Sequence, residues 1–271
     1  MYFYKELEKI LETSEVSLKI KFFREFYDLY KSDKVKFEVG LKPKIFQEPS
    51  YKSICKIVSP QIVPKRKNLT TKDGQIILLH AIAHIEYSAI DLALDASYRF
   101  RSLPKKYYDD WLEVADDEIR HFLMIDEILN ELGASYGDIE VHDALFEASF
   151  RTQTFLERMA VVPRYLEANG LDATPMILTK LTKLPKIKVI EKIISTLKII
   201  LDEEVDHVKK GDIWFSYACE KENLSVDIYF DIINKYYPQG FLRAKNLNKK
   251  ARLKAGFSCN ELKIMAHKEI C

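Results

Sequence analysis

One run of the sequence reads Asp117-Glu118-Ile119-Arg120-His121, and a second reads Glu203-Glu204-Val205-Asp206-His207. Each run places a glutamate three residues before a histidine and a second acid directly before that glutamate. Positions three apart share one face of a helix, so each run directs one carboxylate and one imidazole to the same point. We therefore interpret both runs as helical and treat the two Glu–His pairs as the centre of the fold.

Both Glu–His pairs interrupt stripes of apolar residues at helical spacing. A carboxylate is costly in an apolar core unless it is paired or binds a metal. The pattern therefore predicts two buried pairs whose charges need compensation. The apolar neighbours are Trp111, Val114, Phe122, Ile125, Leu129 and Leu132 for Glu118, and Ile190, Ile193, Leu197, Leu201, Val208 and Phe215 for Glu204.

The composition is that of an ordinary globular protein. Of 271 residues, 47% are hydrophobic and 31% are charged, and the formal net charge is +1. A charge so close to zero gives no global field that favours nucleic acid or a membrane surface. No signal peptide and no long uninterrupted apolar run is evident, so we expect a cytoplasmic protein without a membrane segment. The four cysteines have no close spacing, and we expect free thiols.

Helical periodicity and few glycines and prolines predict an all-α fold in three parts. Residues 1–68 read as a helical and irregular extension, 69–221 as a four-helix bundle and 222–271 as a helical extension. The bundle helices are expected over residues 71–100, 106–132, 144–169 and 186–221. Pro163 should kink the third helix, and Thr174 with Pro175 should begin a short additional helix.

The number of residues between a glutamate and the nearest turn predicts its height in the bundle. By this count, one further carboxylate lies at the height of each Glu–His pair. Glu86 and Glu118 lie at similar distances from the turn near Leu103, and Glu86 falls inside an apolar stripe. The same count from Lys186 favours Glu167 over Glu157 as the partner of Glu204. Helical phase does not separate these two candidates, and Glu157 stays open as the alternative.

Two glutamates and two Glu-x-x-His pairs on four antiparallel helices are typical of the dinuclear metal site of ferritin-like bundles. Carboxylate and imidazole ligands suit two iron ions, an iron–manganese pair or two manganese ions. A purely structural hydrogen-bond network is the competing interpretation. The predicted metal ligands are Glu86, Glu118, His121, Glu167, Glu204 and His207.

Three further residues are predicted to support the ligands without binding metal. Asp117 and Glu203 each precede a ligand glutamate and are placed to reach the ring N–H of the histidine on the opposite helix. His84 lies two residues from Glu86 and so points elsewhere, as a core or supporting histidine. A basic stretch from Arg243 to Lys254 reads as a solvated surface segment, with phosphate contact as the lesser alternative.

Several segments resemble an uncharacterised ferritin-like family, domain of unknown function 455. They are His80-Ala-Ile-Ala-His84-Ile-Glu86, Asp117-Glu118 to His121-Phe122, Leu166-Glu167-Ala168-Asn169-Gly170-Leu171-Asp172 and Asp202-Glu203-Glu204 to His207-Val208. The resemblance covers about residues 70–260, implies a ferritin-like fold and favours Glu167 over Glu157. It departs at Asn169, where the family usually has arginine, and it implies no known reaction.

These expectations lead to three hypotheses about function. The first is a non-haem di-iron oxidoreductase that activates O₂ or a peroxide on an unknown small organic substrate, with hydroxylation of tRNA as one version. The second is metal storage, or peroxide detoxification, without an organic substrate. The third is a scaffold whose buried acids and histidines only hydrogen-bond. A homo-oligomer is compatible with each of them.

Overall fold

The computed structural model describes residues 1–40, 42–242 and 244–271. Within these residues the regular structure is helical, with two isolated parallel bridges, Tyr2–Lys36 and Ile57–Val141. The predicted all-α class is confirmed for this described part. The chain divides into two compact units, residues 1–150 and 151–271. The three-part division predicted from sequence stays a prediction.

The helices are short at both ends of the chain and long in three places. A 3₁₀ turn spans Ser50–Ser53 and a π-helical turn spans Val162–Glu167. The α-helices are α1 (Phe3–Glu12), α2 (Val16–Lys31), α3 (Lys72–Arg99), α4 (Lys105–Glu131), α5 (Ala144–Arg151), α6 (Phe155–Val161), α7 (Ala168–Leu181), α8 (Lys188–Glu222), α9 (Ile228–Tyr236), α10 (Lys249–Lys254) and α11 (Cys259–Ala266).

Helices α3 and α4 form a tightly packed hairpin at the centre of the first unit. The side chain of Thr71 caps α3 by accepting a hydrogen bond from the N–H of Gly74 at 3.1 Å. Pro104 precedes α4, and Gly133 follows it with a φ of +72°, a conformation that glycine adopts without strain. These local signals end the helices close to where the sequence predicts.

Helix α3 is apolar on nearly every side. By length and composition alone it could span a membrane, which the sequence-based expectation did not anticipate. However, 72% of its most apolar window is buried inside the protein. Core helices of folded proteins have the same composition. We therefore interpret α3 as the central core helix of the first unit.

The N-terminal helices pack on this hairpin through aromatic side chains. The ring of Phe3 lies 5.5 Å from that of Phe26 and 5.2 Å from that of Tyr108, measured between centroids. Edge-to-face contacts at these distances stabilise a core beyond simple burial. Helices α1 and α2 are thus an integral layer of the first unit.

The predicted third helix, 144–169, is wrong as a single element. The chain leaves the helix after Arg151 and begins again at Thr154, which forms a reciprocal capping box with Glu157. Around Pro163, which lacks an N–H donor, the helix widens into the π-helical turn. The sequence predicted an irregularity at Pro163, but it did not predict the break between Arg151 and Thr154.

The short helix predicted to begin at Thr174 is also wrong. Helix α7 runs without interruption from Ala168 to Leu181 and holds Pro175 in its interior. A proline at such a position costs one backbone hydrogen bond. The guanidinium of Arg252 binds both carboxylate oxygens of Asp172, at 3.0 and 3.1 Å from Nε and 2.6 Å from Nη2. The carbonyl oxygen of Leu171, which Pro175 leaves without a helical donor, accepts a hydrogen bond of 3.1 Å from Nδ2 of Asn248.

Two buried arginines fix the C-terminal segment within the second unit. Arg164 donates to Asp212 and Glu261, both at 2.7 Å, and lies over the ring of Tyr229. Arg252 is only 1% exposed, so the prediction of a solvated basic stretch is wrong at this residue. Arg243, which begins that stretch, lies outside the described residues.

The cysteines differ from the sequence-based expectation. Cys259, the first residue of α11, forms a disulfide with Cys271, and their Cα atoms are 5.8 Å apart. The expectation of four free thiols is therefore wrong for this pair. His267 ends α11 in a left-handed conformation, and the chain turns back there. Cys55 and Cys219 are buried thiols.

Candidate metal centre

Two carboxylates and one imidazole meet inside the α3–α4 hairpin. The Nδ1 atom of His121 lies 3.3 Å from Oε2 of Glu86 and 3.6 Å from Oε2 of Glu118. One ligand atom from each of the three residues lies within 4.8 Å of the others. The side chains of Glu118 and His121 are 1% and 0% exposed, and Glu86 is also buried. A metal ion bound there would be shielded from water.

The hairpin brings these residues together by register. Glu86 lies thirteen residues before Arg99, the last residue of α3, and Glu118 lies thirteen residues after Lys105, the first residue of α4. In an antiparallel pair joined by a short loop, equal distances from the loop give equal heights. His121 then lies one turn further along α4 on the same face as Glu118.

The two glutamates control the protonation of the histidine. Burial by itself would lower the pKa of His121, but its interactions with Glu118 and Glu86 outweigh burial and raise the pKa to about 11. Without metal, the imidazole is therefore protonated at neutral pH and offsets one of the two carboxylate charges. A divalent cation would replace that proton as the compensating charge.

The donor set fits a first-row metal ion. Carboxylate oxygen and imidazole nitrogen are the ligands that iron and manganese bind in proteins, and the cluster contains no thiolate. The apolar side chains around it, including Trp111 and Phe122, are almost fully buried. A dry environment strengthens the attraction between carboxylates and a cation.

The second predicted pair lies on α8 in the second unit. Nδ1 of His207 is 3.4 Å from Oε1 of Glu204, one helical turn away, and the imidazole is fully buried. The Glu204 side chain is 15% exposed. The spacing of the Glu-x-x-His motif thus gives the same local pairing here as on α4.

The structure places the two third-helix candidates in different surroundings. Glu157 forms the capping box with Thr154 and lies 2.5 Å from Nζ of Lys235. Glu167 ends the π-helical turn, and its Oε2 atom is shielded from solvent. A carboxylate that already caps a helix and pairs with a lysine is poorly available to a metal. The assignment of Glu167 as the ligand of the third helix stays a prediction.

The predicted supporting acids are partly exposed. Asp117 accepts a hydrogen bond of 2.8 Å from Arg120 on the same helix. Glu203 is half-buried on α8. Their predicted contacts with the histidine of the opposite helix join the two units and stay predictions.

His84 has both ring nitrogens engaged within the first unit. Its Nδ1 lies 3.0 Å from the hydroxyl of Tyr136, and its Nε2 lies 2.9 Å from the carbonyl oxygen of His142. Because a carbonyl only accepts, Nε2 carries the proton and Nδ1 accepts from Tyr136. His84 therefore holds the segment after α4 against α3. A supporting role toward the metal ligands stays a prediction.

One buried polar cluster was missed from sequence. Lys19 on α2 is 0% exposed, forms an ion pair with Asp91 of α3 and donates to Oγ of Ser50 at 2.8 Å. Burial lowers the pKa of this lysine. The signal was present, because Lys19 shares the apolar face of α2 with Phe23 and Phe26. The cluster joins α2 and the 3₁₀ turn to α3.

Comparisons with known proteins identify a family and one close relative. A family model described as "Protein of unknown function (DUF455)" matches residues 12–263. A Haemophilus influenzae protein, described as an uncharacterized protein, is 35% identical over 274 residues, which cover 96% of this chain and 92% of the relative. No solved structure matches the chain.

Proposed function

The chain belongs to the DUF455 family of proteins of unknown function, and we propose that it is a ferritin-like, non-haem dinuclear metal protein. In this proposal it is an oxidoreductase that activates O₂ or a peroxide toward a small organic substrate. The observation that carries the proposal is the buried cluster of Glu86, Glu118 and His121. Such a set inside a helical core is costly without a cation and suits iron or manganese.

We extend the site to the second unit from the sequence pattern. Glu204 and His207 repeat the spacing and pairing of Glu118 and His121. Glu167 supplies the fourth carboxylate. Two carboxylates and two Glu-x-x-His pairs on four helices would complete a dinuclear site. The helices of such a bundle are α3, α4, the segment from α6 through α7, and α8.

Each protein group has a defined task in this proposal. Glu86 and Glu118 offset cationic charge, and His121 supplies a neutral nitrogen once its proton has left. Bound iron or manganese would supply the electrons that dioxygen or a peroxide accepts. The buried rings of Trp111 and Phe122 exclude water and so protect reactive species from side reactions.

Elemental analysis of the full chain tests the proposal directly. After anaerobic Fe(II) or Mn(II) loading and desalting, we expect about two metal ions per chain. Glu118→Ala in the first unit and Glu204→Ala in the second unit should each lower the metal content. The exposed acid Glu127 on α4 provides the matched control, and Glu127→Ala should keep both ions.

The outcomes separate the hypotheses. No bound metal would leave only the structural network. If Glu204→Ala bound as much metal as the parent protein, the extension of the site to the second unit would be wrong. If Glu118→Ala alone bound less metal, the site within the α3–α4 hairpin would still be supported. Many ions per chain would favour storage. An absorbance change when O₂ is admitted to the Fe(II) protein is expected for the oxidoreductase, and salt-released RNA would redirect the substrate class to tRNA.

A further inference from the structure

A cavity of about 330 Å³ opens on the first unit, and Glu86, Glu118 and His121 do not line it. Its walls are α3, the loop around Pro60–Arg66 and the segment Ile139–His142. None of the six proposed metal ligands lines this cavity. It is large enough to take a small organic molecule.

The α3 wall of the cavity carries an apolar stripe of half-buried and exposed side chains beside His80 and His84. Ile77, Ala81 and Ile85 follow one another at intervals of four residues and all line the cavity. Ile85 is 42% exposed, although α3 is otherwise buried on most sides. The stripe is about 12 Å long, since an α-helix rises about 1.5 Å per residue. An apolar chain lying along it would be removed from water.

The opposite wall carries positive charge. Lys65 and Arg66 both line the cavity and are exposed. Among the residues that the structure describes, no carboxylate pairs with either of them. Glu140, the acid in the same lining, lies 3.2 Å from Nζ of Lys56, which offsets its charge. The cavity therefore combines an apolar wall with uncompensated cations.

A histidine adds a hydrogen-bond donor beside the cations. The Nδ1 atom of His142 accepts the backbone N–H of Ala144 at 3.3 Å. The proton of the neutral ring is therefore on Nε2, which can donate to an anion. His142 lines the cavity together with Arg66.

We propose that this cavity binds a small organic carboxylate, with its apolar chain along Ile77, Ala81 and Ile85 and its carboxylate near Arg66, Lys65 and His142. Arginine and lysine recognise carboxylates by charge-assisted hydrogen bonds. An extended chain of eight carbons is short enough to lie along the stripe. An inorganic anion would leave the apolar wall in water, and a neutral lipid would leave the cations without a partner.

Calorimetric titration of the full chain with octanoate tests the proposal. Octanol, which has the same chain without the charge, and inorganic phosphate, which has charge without a chain, are the comparison ligands. We expect octanoate to bind with a dissociation constant on the order of 0.1–1 mM, as its small size allows. Octanol and phosphate should bind at least about tenfold more weakly.

Two variants locate the site. Arg66→Ala should weaken octanoate binding about fivefold, because it removes one charged hydrogen bond. Ala81→Trp should abolish binding, because the half-exposed Ala81 faces the cavity and the indole would fill it. Lys67→Ala is the matched control, since Lys67 is exposed in the same run but does not line the cavity, and it should change binding less than twofold.

Three results would overturn the proposal. Equal binding of octanol would show a generic apolar patch, and equal binding of phosphate would show an inorganic anion site. Unchanged octanoate binding in a folded Ala81→Trp variant would place the ligand elsewhere. The measurement is made on the metal-free protein, so its result does not depend on the proposed metal centre.

Discussion

The Nδ1 atom of His121 lies 3.3 Å from Oε2 of Glu86, so one side chain of α4 and one of α3 share a buried ionic contact. Oε2 of Glu118 lies 3.6 Å from the same Nδ1 atom. In the metal-free protein the charge of the protonated ring offsets the repulsion between the two carboxylates.

Replacing His121 by alanine should destabilise the metal-free protein. The change leaves two buried carboxylates without the cation between them, and breaking a buried pair in this way costs about 3–5 kcal/mol. Urea denaturation in the presence of a chelator measures the free energy of unfolding. Adding Glu86→Gln to His121→Ala should recover part of the loss, because one of the repelling charges disappears.

Leu123 provides the control for that experiment. It lies on α4 and is 36% exposed, so Leu123→Ala should cost less than about 1 kcal/mol. If His121→Ala were no more harmful than Leu123→Ala, the histidine would not be compensating the carboxylates.

The stability of the first unit should decrease in acid through His80. The Nε2 atom of His80 accepts the N–H groups of Gly137 at 2.9 Å and Ile139 at 3.4 Å. Burial lowers the pKa of His80 below 6.5. As the pH falls below 6.5, the unfolded chain takes up the proton first, so the free energy of unfolding decreases until the pH reaches the lowered pKa.

A His80→Gln variant isolates this contribution. Glutamine keeps an oxygen acceptor for the same N–H groups but does not titrate. We expect a shallower loss of unfolding free energy between about pH 7 and pH 5 in the variant than in the parent protein. Parallel pH profiles measured by urea denaturation would contradict the assignment.

Replacing two glycines of the second unit by alanine should change the stability of the protein in opposite directions. A Cβ atom at Gly211 would lie 2.5 Å from Cβ of Pro163 and 2.8 Å from its Cγ. Gly211→Ala should therefore cost about 1–3 kcal/mol by overpacking. A Cβ at Gly170 in α7 would meet nothing within 4 Å, and Gly170→Ala should stabilise by up to about 1 kcal/mol. Thermal unfolding of both variants checks the difference in sign.

Arg252→Lys should destabilise the second unit despite keeping the charge. The guanidinium binds both oxygens of Asp172 and the carbonyl oxygen of Ala168, the latter at 3.0 Å, and one ammonium cannot reproduce that geometry. We expect a loss of about 2 kcal/mol in urea denaturation. The exposed Lys254→Arg change is the control and should be neutral; equal stability of the two variants would refute the anchoring role.

The α3–α4 half of the candidate site could be predicted from sequence because its signals are local. The ends of the two helices are marked by Thr71, Pro104 and Gly133. The apolar stripes with α-helical spacing place Glu86, Glu118 and His121 on the inner faces. Equal distances from one short loop then fix their heights. No long-range information was needed.

The remaining features depend on contacts that the local pattern does not contain. Helix α7 continues through Pro175, and the carbonyl oxygen of Leu171 that the proline cannot bond accepts a hydrogen bond from the side chain of the distant Asn248. The Cys259–Cys271 bond depends on the turn after α11, and the ion pair of Lys19 with Asp91 joins two helices distant in sequence. Each is a tertiary effect that overrides a local preference.

The π-helical turn at Val162–Glu167 shifts the helical phase between Glu157 and Glu167. A wide turn accommodates one residue more than an α-helix, and each residue of an α-helix advances the side chain by about 100°. Deleting a single residue there would restore regular winding and rotate the direction of Glu167 by about that angle. In the proposed metal site, every ligand residue would keep its chemical identity, but the fourth carboxylate would point in a different direction. Under that proposal, a single additional peptide unit determines the geometry of the site as strongly as an acidic side chain does.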